Sequence, residues 1–176
     1  WHRSMWFNET DLPWISPSPN IPDLETALVY AGTCLFEGTN ISEGRGTENP
    51  FLTIGAPFLN YEQSFFRIQD PSASIKKITF KPISIPGKAQ YPKYENQTCV
   101  GVEITVLDRD NFKPVDFGAA LLVEFSKNSE FRFLEREFID KLWGSNDLRN
   151  GNINSRNWQK DLEKFQLIRI KYLIYK

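Results

Sequence analysis

Alternation of apolar and polar positions is clearest over residues 99–108, where Val100, Val102, Ile104 and Val106 share one face and predict a strand. Residues 75–83, IKKITFKPI, read as a second strand that ends in proline and lies near a sheet edge. Residues 27–38, ALVYAGTCLFEG, alternate as well, with Val29, Thr33 and Leu35 set against Tyr30, Cys34 and Phe36, and predict a third strand. Asp23 is placed to cap a short helix before it, through Leu24 and Leu28. Tyr61, Phe65 and Ile68 stand at helical spacing after Asn60. Beyond Asp110 the period becomes helical throughout. Asp116 is expected to cap residues 116–128, and residues 133–143 carry Leu134, Phe138 and Leu142 on one stripe that Gly144 is placed to stop. Ser155 opens a last helix with Trp158, Leu162, Phe165 and Tyr172 on one face. Strands and short helices come first and helices last, without internal repeats. The pattern predicts an α/β fold of the mixed α+β kind, a mixed sheet with flanking helices, in one domain over residues 1–176.

Two stretches break the periodicity. Four of the eleven prolines crowd residues 13–22, PWISPSPNIP, which excludes helix or central strand and predicts an extended strap of fixed shape. Residues 37–57 form a long loop rich in Gly, Thr, Asn and charge, and long ordered loops in compact domains are functional or mobile.

Composition then removes several chemistries. With 21 Lys and Arg against 22 Asp and Glu, the formal charge is −1, and no electrostatic footprint for nucleic acid or an anionic membrane results. The longest purely apolar run, residues 119–123, is far too short to span a bilayer. One histidine, His2, and two cysteines, Cys34 and Cys99, exclude a zinc site built from several His and Cys ligands and disfavour a histidine-dependent nucleophile. The two cysteines fit either a disulfide or two buried thiols. Carboxylates are left as the leading carriers of chemistry, with no metal and no cofactor expected.

They concentrate in residues 37–47, EGTNISEGRGT, which hold Glu37, Thr39, Asn40, Glu43 and Arg45 among three glycines. The glycines match neither a P-loop, because Arg45-Gly46-Thr47 follows Gly44, nor a dinucleotide fingerprint. Glutamate, asparagine and threonine suit sugar hydroxyls, and an arginine can grip a carboxylate with two parallel hydrogen bonds. The competing reading is a surface loop in which Arg45 pairs with Glu37, Glu43 or Glu48. The loop is expected beside the largest concavity of the domain, with Gly44 and Gly46 leaving room for a ligand.

PSPNIP, then ALVYAGTCLFEGTNISEGRGTENPF and GAPF, resemble the C-terminal half of the bacterial exo-β-N-acetylmuramidase family. The resemblance runs through MWF, CVGVEITV, PVDFGAALL, FIDKLWGSNDLR and the closing YLIY, so it covers essentially the whole chain. It implies an enzyme that removes N-acetylmuramic acid from the non-reducing ends of peptidoglycan-derived glycans. It also implies a Rossmann-like N-terminal half, a cleft between the halves, and a catalytic carboxylate in that other half. The chain opens on Trp1 and is expected to be a piece of something longer, inactive by itself.

The family motif matches Glu37, Asn40, Glu43 and Arg45, with Pro19 and Asn20 in the strap. Glu37 and Glu43 are the candidate catalytic carboxylates, because glycoside hydrolysis ordinarily uses a pair. Asn20, Thr39, Asn40, Arg45 and Tyr94 are the candidate substrate contacts, with Arg45 set toward the lactyl carboxylate of muramic acid. Tyr91 and Trp14 are further rings on which a sugar could stack. The expected partners are peptidoglycan-derived glycans and the N-terminal domain, and the resemblance implies a periplasmic or extracellular location. A non-catalytic cell-wall glycan-binding module is the alternative, disfavoured because such modules rarely need two Glu within seven residues of one loop.

Overall fold

The computed structural model describes residues 1–60, 68–152 and 155–175. Among these residues, three strands form an antiparallel sheet: β1 (Thr53–Ala56), β2 (Ala73–Phe80) and β3 (Cys99–Val106), in the order β1-β3-β2. β3 is central, with Ile54 opposite Val102 and Ile75 opposite Ile104. The α/β class holds, the proline-ended β2 is an edge strand as expected, and both pairings are antiparallel. Among the described residues, four helices accompany the sheet: α1 (Leu24–Thr33), α2 (Pro114–Ser126), α3 (Phe138–Trp143) and α4 (Ser155–Arg169). The core collects Val29 and Phe36 from the α1 side, Ile54 and Val102 from the sheet, Leu121 and Phe125 from α2, and Ile139 from α3.

The third expected strand is instead α1, continued by a 3-10 turn over Cys34–Gly38. The Asp23 side chain accepts the Thr26 N–H at 2.7 Å, and that cap starts a helix whose buried face is Thr26, Val29, Gly32 and Thr33. Spacings of three and four residues thus win over the alternation. Gly32 is kept inside the helix by α2: a Cβ there would lie 1.8 Å from the Pro114 carbonyl oxygen, and one on Gly118 would lie 2.5 Å from Gly32. Two glycines let the helix backbones touch.

β1 lies inside the stretch expected to be loop. All four of its residues are buried, so it shows no polar alternation to read. α2 starts at Pro114 after Lys113, which makes no side-chain cap, and Asp116 stands within the first turn, where it complements the helix dipole without capping. The helix expected over residues 133–143 is shorter. Glu137, at φ 53°, separates a 3-10 turn from α3, and Ile139 is the buried residue while Leu134 and Phe138 are exposed. Gly144 does stop α3, at φ 87°. Of the helical spacing after Asn60, Tyr61 and Phe65 lie outside the described residues. Both cysteines are free thiols; Cys99 is fully buried, and burial pushes it up to about 12.

Candidate functional site

The end of α1 and the turn that follows it deliver Tyr30, Cys34 and Glu37 to one side of a charge cluster. Glu43 and Arg45 come from the segment that runs back toward β1, and Lys93 arrives from the loop between β2 and β3. Arg45 bridges the two carboxylates. Its Nη2 donates to Glu37 Oε1, and its Nε lies 3.4 Å from Glu43 Oε1. Lys93 Nζ sits 2.9 Å from Glu43 Oε2 and donates to the carbonyls of Phe36 and Ile41 at 2.8 and 3.0 Å. Two carboxylates and two cations balance each other. The Glu43 side chain is 6% exposed and that of Arg45 37%, so the arginine is the member that faces solvent.

Aromatic rings floor the cluster. The Arg45 guanidinium lies 5.4 Å from the centroid of Phe51, and Tyr30 meets the same ring edge-on at 4.7 Å. Phe51 holds a left-handed backbone at φ 65°, a costly conformation for a large side chain, and its N–H donates to the Glu43 carbonyl at 2.6 Å. Burial pushes the Glu37 carboxyl above the ordinary glutamate range; Arg45 opposes the rise and the charge of Glu43 adds to it. Burial and then Glu37 likewise raise the Tyr30 phenol and the Cys34 thiol.

Gly44 and Gly46 are needed, though the space beside them is filled by protein rather than left to a ligand. At φ 77° and 81°, a Cβ on Gly44 would lie 2.4 Å from the Thr53 carbonyl oxygen and one on Gly46 would lie 2.5 Å from that of Ile83. The segment is also pinned by a bridge between Ser42 and Gly55 and another between Thr39 and Phe133.

Several residues singled out for ligand contact spend their polar groups on the fold. Thr39 is fully buried; its hydroxyl donates to the Phe36 carbonyl at 2.9 Å and accepts from the Ile41 N–H at 3.1 Å. Asn40 uses both ends of its amide, donating to the Glu130 carbonyl and accepting from the Arg132 N–H, each at 2.8 Å. The Tyr94 hydroxyl donates to the Asn40 carbonyl at 2.5 Å. Asn20 is buried and donates from Nδ2 to the Lys88 carbonyl at 2.7 Å, with its Oδ1 buried and without a hydrogen-bond partner among the described residues, while Pro19 beside it is exposed. Tyr91 is 91% exposed.

Nor does the loop flank the roomy concavities described. One of about 520 Å³ is walled by Ala31, Cys34, Leu142, Trp143 and Trp158, and one of about 510 Å³ by Trp6, Phe7, Trp14, Leu28 and Arg109. Neither is lined by a residue of the 37–57 stretch, although Cys34 and Leu35 just before it line the first. Trp14 lines the second of these with Trp6 and Phe7, and Glu37 lines neither. The expectation of a loop beside the largest hollow is corrected to a half-buried ionic cluster open at Arg45.

Sequence reading missed Lys93, Tyr30 as a neighbour of Glu37, and Phe51. Lys93 falls in YPKYENQ, far along the chain, and only the fold brings it to Glu43. Replacing it should expose its role. Among the described residues, Lys93→Met leaves the buried Glu43 with Arg45 as its one remaining cation, and it is expected to lower the unfolding free energy by about 3 kcal/mol. Urea denaturation reads this, and an unchanged midpoint would mean that the ammonium does not brace the segment.

The family profile described as exo-beta-N-acetylmuramidase NamZ, C-terminal, matches residues 28–175. The peptidoglycan beta-N-acetylmuramidase NamZ of Bacillus subtilis (strain 168) is 38% identical over 189 aligned positions, covering 99% of this chain and 44% of the relative. Two crystal structures of DUF1343 family proteins from Bacteroides fragilis NCTC 9343 share the fold. One has a TM-score of 0.79 at 22% identity, over 100% of this chain and 49% of that one. The other has a TM-score of 0.65 at 29% identity, over 92% and 44%. The chain spans about half the length of the relatives it matches. Among the described residues, no helix is long and apolar enough to cross a membrane.

Proposed function

Since the chain belongs to the family of C-terminal domains of the exo-β-N-acetylmuramidase NamZ, we propose that it is the substrate-binding half of a glycoside hydrolase. In this reading the whole protein releases N-acetylmuramic acid from the non-reducing ends of peptidoglycan-derived glycans, in the periplasm or outside the cell. The observation that carries the reading is the cluster of Glu37, Glu43, Arg45 and Lys93, which is built on the matched stretch and open to solvent at Arg45.

Glycoside hydrolysis needs a carboxylic acid with a proton to give and a second group to aid the water or the sugar cation. Glu37 suits the first role, because burial favours its protonated form. Glu43, held between Lys93 and Arg45, keeps the geometry of that acid. The other half of the enzyme supplies a further carboxylate. Protonation of Glu37 also weakens its hold on Arg45, which frees the guanidinium for the lactyl carboxylate of muramic acid. Asn20, Thr39, Asn40 and Tyr94 take the part of scaffold that shapes this edge.

The test is incubation of the two-half protein with a disaccharide ending in N-acetylmuramic acid, followed by mass spectrometry. Release of the monosaccharide is expected. Tight binding without release would favour the glycan-binding alternative.

Arg45 separates ligand contact from loop bracing. In the two-half protein, Arg45→Ala is expected to lower kcat/KM for muramides about 30- to 1000-fold, and that for N-acetylglucosaminides, which lack the lactyl group, much less. Equal losses in the two series would retire the ligand contact and leave Arg45 as a brace for Glu37 and Glu43.

A further inference from the structure

α4 runs beyond the body of the domain. Its start is anchored by Trp158, which meets Trp143 edge-on at 5.1 Å, and Trp158 also lines a hollow with Ala119, Ala120 and Val123 of α2. From Leu162 onward the apolar side chains face solvent, apart from the half-buried Leu173. Leu162, Phe165 and Ile168 continue the stripe begun by Trp158, and all three are exposed. Beyond them the segment stops being amphipathic. In residues 165–175, FQLIRIKYLIY, only Gln166, Arg169 and Lys171 are polar. Leu167 and Ile170 stand off the stripe, at 71% and 66% exposure, and Ile174 reaches 88%. A helix end that is apolar all round is one that other chain surrounds, and monomeric proteins rarely leave so large an apolar patch to water.

The end of this segment returns to the first residue of the chain. The Trp1 ring lies 6.3 Å from that of Tyr175, and Trp1 is itself 66% exposed. The matched relatives carry more than as much chain again outside the aligned region. Any chain joined ahead of Trp1 therefore leaves the domain beside the uncovered helix end.

We propose that the exposed face of α4 and the segment through Tyr175 is the docking surface for the other half of this protein. The inference rests on the reading of the chain as one half of a longer enzyme. The docked half covers Leu162, Phe165 and Ile168 along the stripe, and closes around Leu167, Ile170 and Ile174 at the end. Apolar burial on this face carries the association of the halves.

Hydrogen exchange of the two-half protein, read by mass spectrometry, tests the surface without reference to hydrolysis. Amides of residues 162–173 are expected to exchange at least about 100-fold more slowly than unprotected chain, because a short exposed helix frays readily. In Phe165→Asp/Ile168→Asp that protection should fall at least about tenfold, while β3 amides keep theirs and report an intact domain. Light scattering under the same conditions should give a monomer. Unprotected amides in the native protein would overturn the proposal, as would a dimer whose α4 protection disappears on dilution, since a second copy would then be the occupant. Release of N-acetylmuramic acid, assayed separately, decides whether the muramidase reading fails by itself.

Discussion

The 176-residue chain, purified alone, is expected to show no measurable turnover of a chromogenic β-N-acetylmuramide, whereas the two-half protein hydrolyses it at rates ordinary for enzymes. The reason is structural as well as chemical. The Glu37 cluster stands at a surface, with Arg45 open to solvent, and none of Glu37, Glu43 and Arg45 lines the roomy concavities described. A sugar held on one side only is neither oriented nor shielded from water, and orientation of the reacting groups contributes several orders of magnitude to rate. Added stoichiometrically, the separately expressed other half should restore part of the activity. Full activity of the isolated chain would show instead that Glu37 and Glu43 suffice as the carboxylate pair.

Glu37→Gln in the two-half protein is expected to lower kcat about 10²- to 10⁴-fold, the range for loss of a positioned general acid. The pH profile gives the more selective readout. Burial raises the Glu37 carboxyl, so its protonated form persists above the usual glutamate range and is lost as pH climbs through that raised value. The wild-type rate should therefore fall along an alkaline limb that begins above the usual glutamate range, and Glu37→Gln should flatten that limb. A variant that keeps both kcat and the limb would move the acid to the other half and reduce Glu37 to a partner of Arg45.

The parts of the fold that could be read from sequence are those whose apolar residues recur at one period. β3 alternates because one side packs on the core, and α4 shows its stripe because spacings of three and four recur from Trp158 onward. β1 was hidden because Thr53, Ile54, Gly55 and Ala56 are all buried, which leaves a run of mixed polarity that resembles loop. α1 was misread because Val29 and Thr33 satisfy both a helical spacing and the chosen alternation, and the deciding fact, the Gly32 contact with Pro114 and Gly118, is tertiary.

Glu37, Glu43 and Arg45 were legible as a local concentration of charge, and the structure joins them in ion pairs. Their partner Lys93 was not, because no local pattern points from one loop to another. Thr39, Asn40 and Asn20 show the converse limit. A polar side chain on a glycine-rich segment looks the same in sequence whether it awaits a hydroxyl or satisfies a buried carbonyl, and here each satisfies backbone groups.

A crystal structure of the two-half protein with a muramic acid glycoside bound is the most direct measurement. The sugar is expected in the cleft between the halves, with its lactyl carboxylate on Arg45 and its glycosidic oxygen within hydrogen-bond reach of Glu37. A glycoside bound elsewhere, with Arg45 still locked between Glu37 and Glu43 and facing bulk water, would contradict the assignment of the cluster as the substrate site.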